Sequence, residues 1–267
     1  MEKKASLIST NIFNHNACYQ LVVLFIFFLS SCASVKEENI RIATYNIRNA
    51  IGLDDSVNYA RIANVINKIN PDIIALQELD SVTNRSDQVD VLSTLSQLTG
   101  MNAVYGASID FDGGKYGIGV MSKVKPLSWK HIPLPGREEK RSALFLEFET
   151  YIFICSHFSL TSEDRMASVD IINGLIENIK KPVFFAGDLN ATPDSQVMQV
   201  LLEKWQLLSD IEKNTFPADN PNRTIDFILG SAQSEYTLKM IYTETVNEQV
   251  ASDHLPVFSD IQIKKQP

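Results

Sequence analysis

The sequence predicts an α/β domain in which mixed β-sheets are covered by helices. Short runs rich in Ile, Val and Phe, typical of buried strands, alternate with segments of helical periodicity. Several central strands follow one another without an intervening helix, which favours antiparallel pairing and argues against a simple doubly wound sheet. About 230 residues follow the N-terminal segment without a repeat or a Pro/Gly-rich linker, so a single large domain is expected.

Helical periodicity marks four segments. In residues 59–70, apolar residues recur at helical spacing from Ile62 to Ile69, and Pro71 marks the end. The other expected helices span residues 87–98, 163–179 and 194–205, the last with Asp194 or Ser195 as its N-cap. The expected strands span residues 40–45, 72–77, 103–109, 117–122, 142–149, 151–156, 183–186, 225–229, 238–243 and 257–263.

Short polar motifs stand at four ends of these strands. The residues concerned are Asn46, Glu78, Asp188 with Asn190, and Asp253 with His254. Ligands in α/β sheets gather beyond strand ends, so these side chains are expected to meet. Oxygen-rich clusters of this kind suit a hard cation such as Mg²⁺, and the imidazole is available for proton transfer. The pattern therefore indicates metal-assisted phosphoester chemistry.

Six short strings resemble motifs of the endonuclease/exonuclease/phosphatase superfamily, which includes DNase I-like nucleases, inositol polyphosphate 5-phosphatases and neutral sphingomyelinases. The strings are Thr44-Tyr45-Asn46, Leu76-Gln77-Glu78, Ser156-His157-Phe158, Gly187-Asp188-Leu189-Asn190, Thr224-Ile225-Asp226 and Ser252-Asp253-His254. They occur in the family's order between residues 41 and 262. The resemblance implies a DNase I-like four-layer α/β/β/α sandwich, two packed mixed sheets with helices outside.

The resemblance also implies a metal site. Glu78 is the expected main ligand, with Asn46 and Asp253 nearby. The expected cofactor is Mg²⁺, with Mn²⁺ as the alternative, and the number of metals is left open. Glu78 on its own could be a surface charge at the end of a strand.

The same resemblance implies catalytic roles. His254 is the expected general base, Asp226 holds its imidazole, and His157 contacts the phosphate or the leaving group. Asp188 and Asn190 position the attacking water and the phosphate, or help to hold a second metal. Alternatives exist for single residues, because Asp188 could cap a helix and Asn190 could lie in an Asx-turn. Asp226 is harder to explain otherwise, since a carboxylate inside an apolar strand needs a partner.

Two further residues are expected to bind substrate. Arg141 begins a strand and can hold a phosphate with two hydrogen bonds. Tyr116 is expected to line the cleft, although a glycine turn explains most of the string around it. The other residues of the charge run 137–141 are interpreted as solvated. Residues 215–217 could form a wall of the substrate site or a simple loop anchor.

The N-terminal segment resembles a bacterial lipoprotein signal. Lys3 and Lys4 precede an apolar run at residues 21–29, which is shorter than the ~20 residues that span a bilayer and fits a secretory signal. The run ends in Leu29-Ser30-Ser31-Cys32, which resembles a lipobox. This implies cleavage before Cys32 and lipidation of its thiol. The alternative is an ordinary signal peptide with an incidental cysteine.

On this interpretation, residues 1–31 are a signal peptide, residues 32–39 a polar tether and residues 40–264 the enzyme domain. We expect a monomer that is exported from the cytoplasm and anchored by lipid in the bacterial cell envelope. Cys155 would then be a free thiol, which excludes an intramolecular disulfide. Its apolar neighbours predict a small buried side chain rather than a nucleophile.

The charge of the chain bears on the substrate. The whole sequence carries a net charge of −8. Residues 1–31 contribute +1, from Glu2, Lys3 and Lys4, so the remainder carries −9. Proteins that bind a DNA backbone usually show a basic surface, which this total does not indicate.

The sequence therefore favours a Mg²⁺-dependent phosphodiesterase that acts on a phospholipid head group or a small phosphoester. The first alternative is an extracellular or periplasmic nuclease for DNA or RNA. The second is a non-catalytic binding module on the same scaffold, although the complete set of metal and base residues argues against it.

Overall fold

The computed structural model describes residues 37–232 and 235–266. The predicted signal segment, Cys32 and the first part of the predicted tether lie outside these residues. Residues 37–39, predicted as tether, are the beginning of the first strand, because Glu37 pairs with Lys264 in register. Within the described residues, no helix is both long and apolar enough to cross a membrane.

The described residues form twelve strands in two sheets of six. The strands are β1 Glu37–Asn46, β2 Ile73–Ser81, β3 Asn102–Phe111, β4 Gly114–Ser122, β5 Ser128–Leu134, β6 Arg141–Glu147, β7 Ile152–His157, β8 Val183–Asp188, β9 Gln206–Leu207, β10 Asp226–Ser231, β11 Tyr236–Thr245 and β12 Val257–Lys265. Sheet one has the order β11-β12-β1-β2-β4-β3, and sheet two has the order β5-β6-β7-β8-β10-β9.

Each sheet is mixed, as expected. The pairs β1–β2 and β7–β8 are parallel, and their neighbours pair antiparallel. A parallel pair needs a crossover connection, which helices supply here. Both parallel pairs lie near the middle of their sheets, so the carboxyl ends of four central strands can supply side chains to one edge of the sandwich.

In the described part of the chain, four α-helices cover the outer faces: α1 Tyr59–Ile69, α2 Val91–Thr99, α3 Ser162–Ile176 and α4 Gln196–Leu202. Helices α1 and α2 bury their apolar side chains with one face of sheet one. Helices α3 and α4 do the same with one face of sheet two. The inner faces of both sheets share a third core, which includes Ile42, Ile73, Val120, Leu144, Phe153 and Phe184. The predicted four-layer sandwich is therefore confirmed.

Several boundaries differ from the predictions. The helix expected from residue 87 begins only after Asp90, whose carboxylate accepts the Ser93 N–H at 2.8 Å. Asp87 and Gln88 have positive φ angles and lie in the preceding loop. Strand β5 was not predicted, because Ser128–Leu134 contains Lys, His and Pro; as the edge strand of its sheet it tolerates Pro133. Cys155 is fully buried, as expected, and burial raises the pKa of its thiol to about 12.

Candidate active site

Three predicted catalytic residues lie side by side across sheet two. His157 ends β7 and is the register partner of Asp188, which ends β8. Asp188 is in turn the register partner of Asp226, the first residue of β10. All three side chains are buried. Strand pairing thus places an imidazole and two carboxylates in one row at the edge of the sheet.

His254 completes a pair with Asp226. Its Nδ1 lies 2.9 Å from Asp226 Oδ2, and the same oxygen accepts a hydrogen bond from Thr215 Oγ1 at 2.6 Å. The ring of Phe216 lies 4.7 Å from the imidazole, centre to centre. Burial acts to lower the pKa of His254, but the charge and hydrogen bond of Asp226 outweigh it and raise the pKa to about 10. Asp226 therefore fixes Nδ1 of His254, and Nε2 is the ring nitrogen that could exchange a proton with a bound water or substrate.

The Asn46 carboxamide links Glu78, the expected metal ligand, to Asp188 and His254. Its Nδ2 lies 3.0 Å from Glu78 Oε1 and 3.1 Å from Asp188 Oδ2. The same atom is 3.5 Å from His254 Nε2. Ser252 donates from Oγ to the Asn46 carbonyl oxygen at 2.7 Å, which ties the end of β1 to the loop before β12. Three acceptor-bearing groups therefore converge on a single amide group.

Glu78 owes its position to an irregularity in β2. The pairing of β2 with β4 shifts register between Leu76 and Leu79, and Glu78 has a φ of 61°. A positive φ is uncommon for a residue other than glycine, and bulges of this kind often redirect a side chain next to an active site. Here the bulge presents the half-buried Glu78 carboxylate to the cleft.

A second set of polar side-chain contacts reaches the cleft from Arg141, the first residue of β6. Arg141 Nη1 lies 3.2 Å from His157 Nδ1 and 2.9 Å from Glu139 Oε1. His157 Nε2 is 3.5 Å from Asp188 Oδ2. Burial, reinforced by the Arg141 and His254 charges, holds the pKa of His157 well below its usual range. His157 is accordingly a neutral hydrogen-bonding group between Arg141 and Asp188.

Asp188 and Asn190 form a turn at the end of β8. Asp188 Oδ1 accepts the Asn190 backbone N–H at 2.9 Å, and Asn190 Nδ2 donates to the Phe158 carbonyl oxygen at 3.0 Å. Asp188 caps no helix, because α4 begins after Ser195, whose hydroxyl accepts from the Met198 N–H. Burial, together with the nearby Asp226 charge, raises the pKa of Asp188 to about 7. One oxygen of Asp188 is used locally and the other faces the catalytic groups.

These residues border a cleft of about 600 Å³. Asn46 and Asp226 do not line the cleft themselves, but each forms hydrogen bonds with residues that do. Cys32 lies outside the described residues. The predicted residues that line the cleft are Glu78, Tyr116, Arg141, His157, Asp188, Asn190, Asp253 and His254.

The cleft is also lined by residues that were not among the predicted site residues. The additional lining residues are Glu139, Leu160, Arg165, Thr192, Phe216, Arg223 and Ile225. Phe216 belongs to residues 215–217, for which a substrate wall and a loop anchor are the two alternatives, and it lines the cleft. Arg223 stacks on the Phe216 ring at 4.8 Å.

The charge run 137–141 is not simply solvated, which corrects the expectation for its other members. Glu139 lines the cleft and pairs with Arg141. Glu138 accepts hydrogen bonds from the Ser159 hydroxyl at 2.7 Å and from the Leu160 N–H at 2.6 Å. Both partners of Glu138 follow β7. Because both partners lie far from residue 138 in the sequence, these contacts of Glu138 could not be predicted from the charge run itself.

The donor set fits a hard divalent cation. The carboxylates of Glu78 and Asp188 both contact the Asn46 carboxamide, and Asp253 lines the same cleft. The buried Asp226 Oδ1 has no hydrogen-bond partner among the described residues. Ligand atoms of Asp188, Asp226 and His254 lie within 4.8 Å of one another. Because Asp226 and His254 already bind each other, Glu78 and Asp253 remain the freer oxygen ligands.

Known proteins resemble this chain in sequence and in fold. The sequence matches the Endonuclease/Exonuclease/phosphatase family over residues 43–254. That range includes all the residues that line the cleft. No curated protein sequence matches the chain significantly.

Solved structures share the fold at low sequence identity. An endonuclease/exonuclease/phosphatase family protein from Bacteroides thetaiotaomicron superposes with a TM-score of 0.67 at 18% identity, covering 85% of this chain and 98% of that one. A humanized TDP2 from D. rerio gives 0.67 at 19% identity, covering 84% and 98%. A mannosyl-6-phosphatase from B. thetaiotaomicron gives 0.63 at 18% identity, covering 83% and 99%.

Proposed function

The chain belongs to the endonuclease/exonuclease/phosphatase family, whose members are hydrolases that act on phosphoesters, and from this we propose that it is a Mg²⁺-dependent phosphoesterase with a preference for phosphodiesters. The observation that carries the proposal is the position of His254. Its Nδ1 is bound by Asp226, and its Nε2 faces Asp188 and Asn46 at the cleft. A base held on one side and free on the other is suited to activate water.

In this proposal, His254 accepts a proton at Nε2 from the attacking water. Asp226 holds Nδ1–H and stabilises the imidazolium that forms. Asp188 Oδ2 lies 3.7 Å from His254 Nε2, a separation that a water bound to both groups can bridge. The Asn190 turn fixes the Asp188 carboxylate that orients this water.

Glu78, Asn46 and Asp253 would hold the cation. When bound, a divalent cation neutralises charge on phosphoryl and leaving-group oxygens. The neutral His157 and the Arg141 guanidinium would contact the phosphate, with Arg141 kept in place by Glu139. Four carboxylates line the cleft beside three arginines. A cation beside Glu78 and Asp253 would offset their charge toward an anionic substrate, which supports the proposed metal dependence.

We propose a small phosphoester or a phospholipid head group as the substrate class. The cleft of about 600 Å³ accommodates a small molecule. The second candidate is a nuclease, favoured by the stacked Phe216 and Arg223 at the cleft wall, since aromatic rings stack with bases. The net charge of −9 for residues 32–267 argues against long-range attraction of nucleic acid.

Export and lipid anchoring at Cys32 remain part of the proposal. They are supported by the apolar run at residues 21–29 and by the small residues directly before Cys32. Release of a Cys32→Ala variant into the soluble fraction would agree with lipidation. Mass spectrometry that finds an unmodified N-terminus beyond Cys32 in the native protein would contradict it.

One assay separates the functional candidates. Residues 33–267 would be assayed with Mg²⁺, Mn²⁺ or EDTA against duplex DNA, single-stranded DNA, RNA, sphingomyelin, phosphoinositides, aryl phosphodiesters and aryl phosphomonoesters. The His254→Ala variant is the control for contaminating activity. Hydrolysis led by a lipid or small phosphodiester supports the proposal, and hydrolysis led by nucleic acid favours the nuclease. No turnover of any substrate would favour a binding module.

A further inference from the structure

The β4–β5 loop, taken here as residues 123–130 and so including the first three residues of β5, exposes apolar side chains among lysines. Residues 123–130 read Lys-Val-Lys-Pro-Leu-Ser-Trp-Lys and contain no acidic residue. Val124 is 67% exposed, Leu127 69% and Trp129 51%. Single exposed apolar residues are ordinary, but three within six positions of one loop form a patch. Tryptophan beside lysine is the composition found at membrane–water interfaces.

This exposure is imposed by an ordered backbone. Lys123 N donates to the Asp72 carbonyl oxygen at 2.9 Å, and Leu127 N donates to the Glu147 carbonyl oxygen at 2.8 Å. Ser122 Oγ donates to the Val124 carbonyl oxygen at 2.7 Å. The loop is thus held at both ends while its apolar side chains point away from the cores. Among the described residues, Lys125 and Lys130 have no hydrogen-bond or ion-pair partner, so both charges are available to an anionic surface.

The loop lies where the N-terminal chain enters the domain. Val124 and Glu38 line the same groove of about 330 Å³, and Thr150 Oγ1 donates to Glu38 Oε1 at 3.3 Å. Only residues 33–36 separate Cys32 from Glu37, the first residue of β1. Even fully extended, that stretch spans at most about 18 Å. A lipid on Cys32 would therefore keep this end of the sandwich close to the bilayer.

We propose that residues 123–130 bind the surface of the bilayer in which Cys32 is anchored, with Trp129 and Leu127 at the interface and Lys125 and Lys130 on anionic head groups. This inference rests on the proposed lipid anchor. Long basic side chains can reach head groups while neighbouring apolar groups enter the interface. The loop would then act as a second attachment that orients the domain.

The orientation narrows the substrate class. Strand β1 runs from Glu37, five residues after Cys32 in the sequence, to Asn46 next to the cleft, a length of about 30 Å at the usual rise per residue. With residues 123–130 on the bilayer, the cleft opens toward the aqueous side. The substrate is then a water-soluble phosphoester and not a head group of the anchoring membrane.

The test uses the full lipidated chain in phosphatidylethanolamine–phosphatidylglycerol vesicles whose acyl chains carry bromine close to the head group. The sequence has two tryptophans, and Trp205 is buried whereas Trp129 is exposed. We expect brominated lipid to quench the Trp129 emission and the Trp129→Phe variant to lose this quenching. The matched control is Leu160→Trp in the Trp129→Phe background, because Leu160 is 64% exposed at the cleft. It should not be quenched.

Several outcomes would overturn the inference. Vesicle flotation without quenching at position 129 would mean that the loop stands away from the bilayer, and quenching at position 160 alone would reverse the orientation. A dimer in lipid-free detergent that Trp129→Ser abolishes would assign the patch to a second copy of the chain. Failure of the wild type to float with the vesicles would contradict the lipid anchor and with it the inference. Hydrolysis of an aryl phosphodiester by the same sample tests the proposed function separately. Hydrolysis of head groups in the carrier vesicle as fast as a soluble diester would contradict the substrate class.

Discussion

His254 Nδ1 and Asp226 Oδ2 lie 2.9 Å apart although the two residues are attached to different sheets. Asp226 begins β10 of sheet two, and His254 precedes β12 of sheet one. Asn46 and Asp188 make a second such contact, at 3.1 Å. The proposed catalytic groups are therefore assembled only when the two sheets pack, so the core between the sheets also sets the geometry of the candidate site.

Replacing Glu78 with Gln should reduce metal binding. The variant keeps the size of the side chain but loses the charge that the bulge in β2 presents to the cleft. Loss of a supporting group typically costs ~10–100-fold in affinity or activity, so loss of a direct ligand should cost at least about 100-fold in kcat/KM. Calorimetric titration of Mn²⁺ into the metal-free protein checks the binding directly.

The matched control for this experiment is Glu163→Gln. Glu163 is exposed in the first turn of α3 and has no hydrogen-bond or ion-pair partner among the described residues. It should bind metal like the wild type. Unchanged Mn²⁺ affinity in Glu78→Gln would mean that Glu78 is a surface charge and not a metal ligand. Asp188 and Asp226 would then be the next candidates for the metal site.

Arg223→Gln should raise KM more than it lowers kcat. The guanidinium stacks on Phe216 at the cleft wall and is not part of the catalytic row. Its expected role is to attract the anionic substrate, which affects ground state and transition state alike. Steady-state kinetics at two salt concentrations check this, because screening should weaken the effect. A fall in kcat at constant KM would instead place Arg223 in the chemical step.

Gly187→Ala should destabilise the fold and impair the site together. A Cβ on Gly187 would lie 2.0 Å from the Ser156 backbone oxygen, so β7 and β8 would have to separate. His157 and Asp188 are the last residues of these two strands, and their alignment would be lost. Gly174→Ala is the control, since nothing lies within 4 Å of its Cβ inside α3, and it should stabilise by ~0.5–1 kcal/mol. Denaturant unfolding measures both changes, and equal stability of the two variants would contradict this account.

Local patterns predicted the mixed sheets and the polar residues at the strand ends, whereas the four layers were implied by the resemblance to a known family. Apolar runs mark the central strands, and polar residues at their ends mark the site. The bulge that redirects Glu78 could not be predicted, since its positive φ follows from the mismatch between β2 and β4. Arg165 and Arg223 were missed for a similar reason. They reach the cleft from α3 and from a loop whose course depends on tertiary packing.

The pH dependence of the rate tests the His254–Asp226 pair. His254 must be neutral to accept a proton, and Asp226 raises its pKa, so the rate of the metal-saturated enzyme should rise with pH. In Asp226→Asn the raising charge is gone and burial remains, so the pKa of His254 should fall. The acidic limb should then move to lower pH while the maximal rate drops, because the imidazole is no longer held. A purely structural role for Asp226 would lower the rate without moving the limb.

His254→Ala should lose ~10²–10⁴-fold in kcat and the acidic limb with it. Adding Asp226→Asn to that variant should cost little more, because the two residues act as a unit. His131→Ala is the matched control: His131 is exposed on β5, away from the cleft lining, and its removal should leave the profile unchanged. Because a bound cation also lowers the His254 pKa, all variants must be compared at saturating metal. If His254→Ala keeps the wild-type limb and most of its rate, the base lies elsewhere, and Asp188, whose pKa is raised to about 7, becomes the next residue to replace.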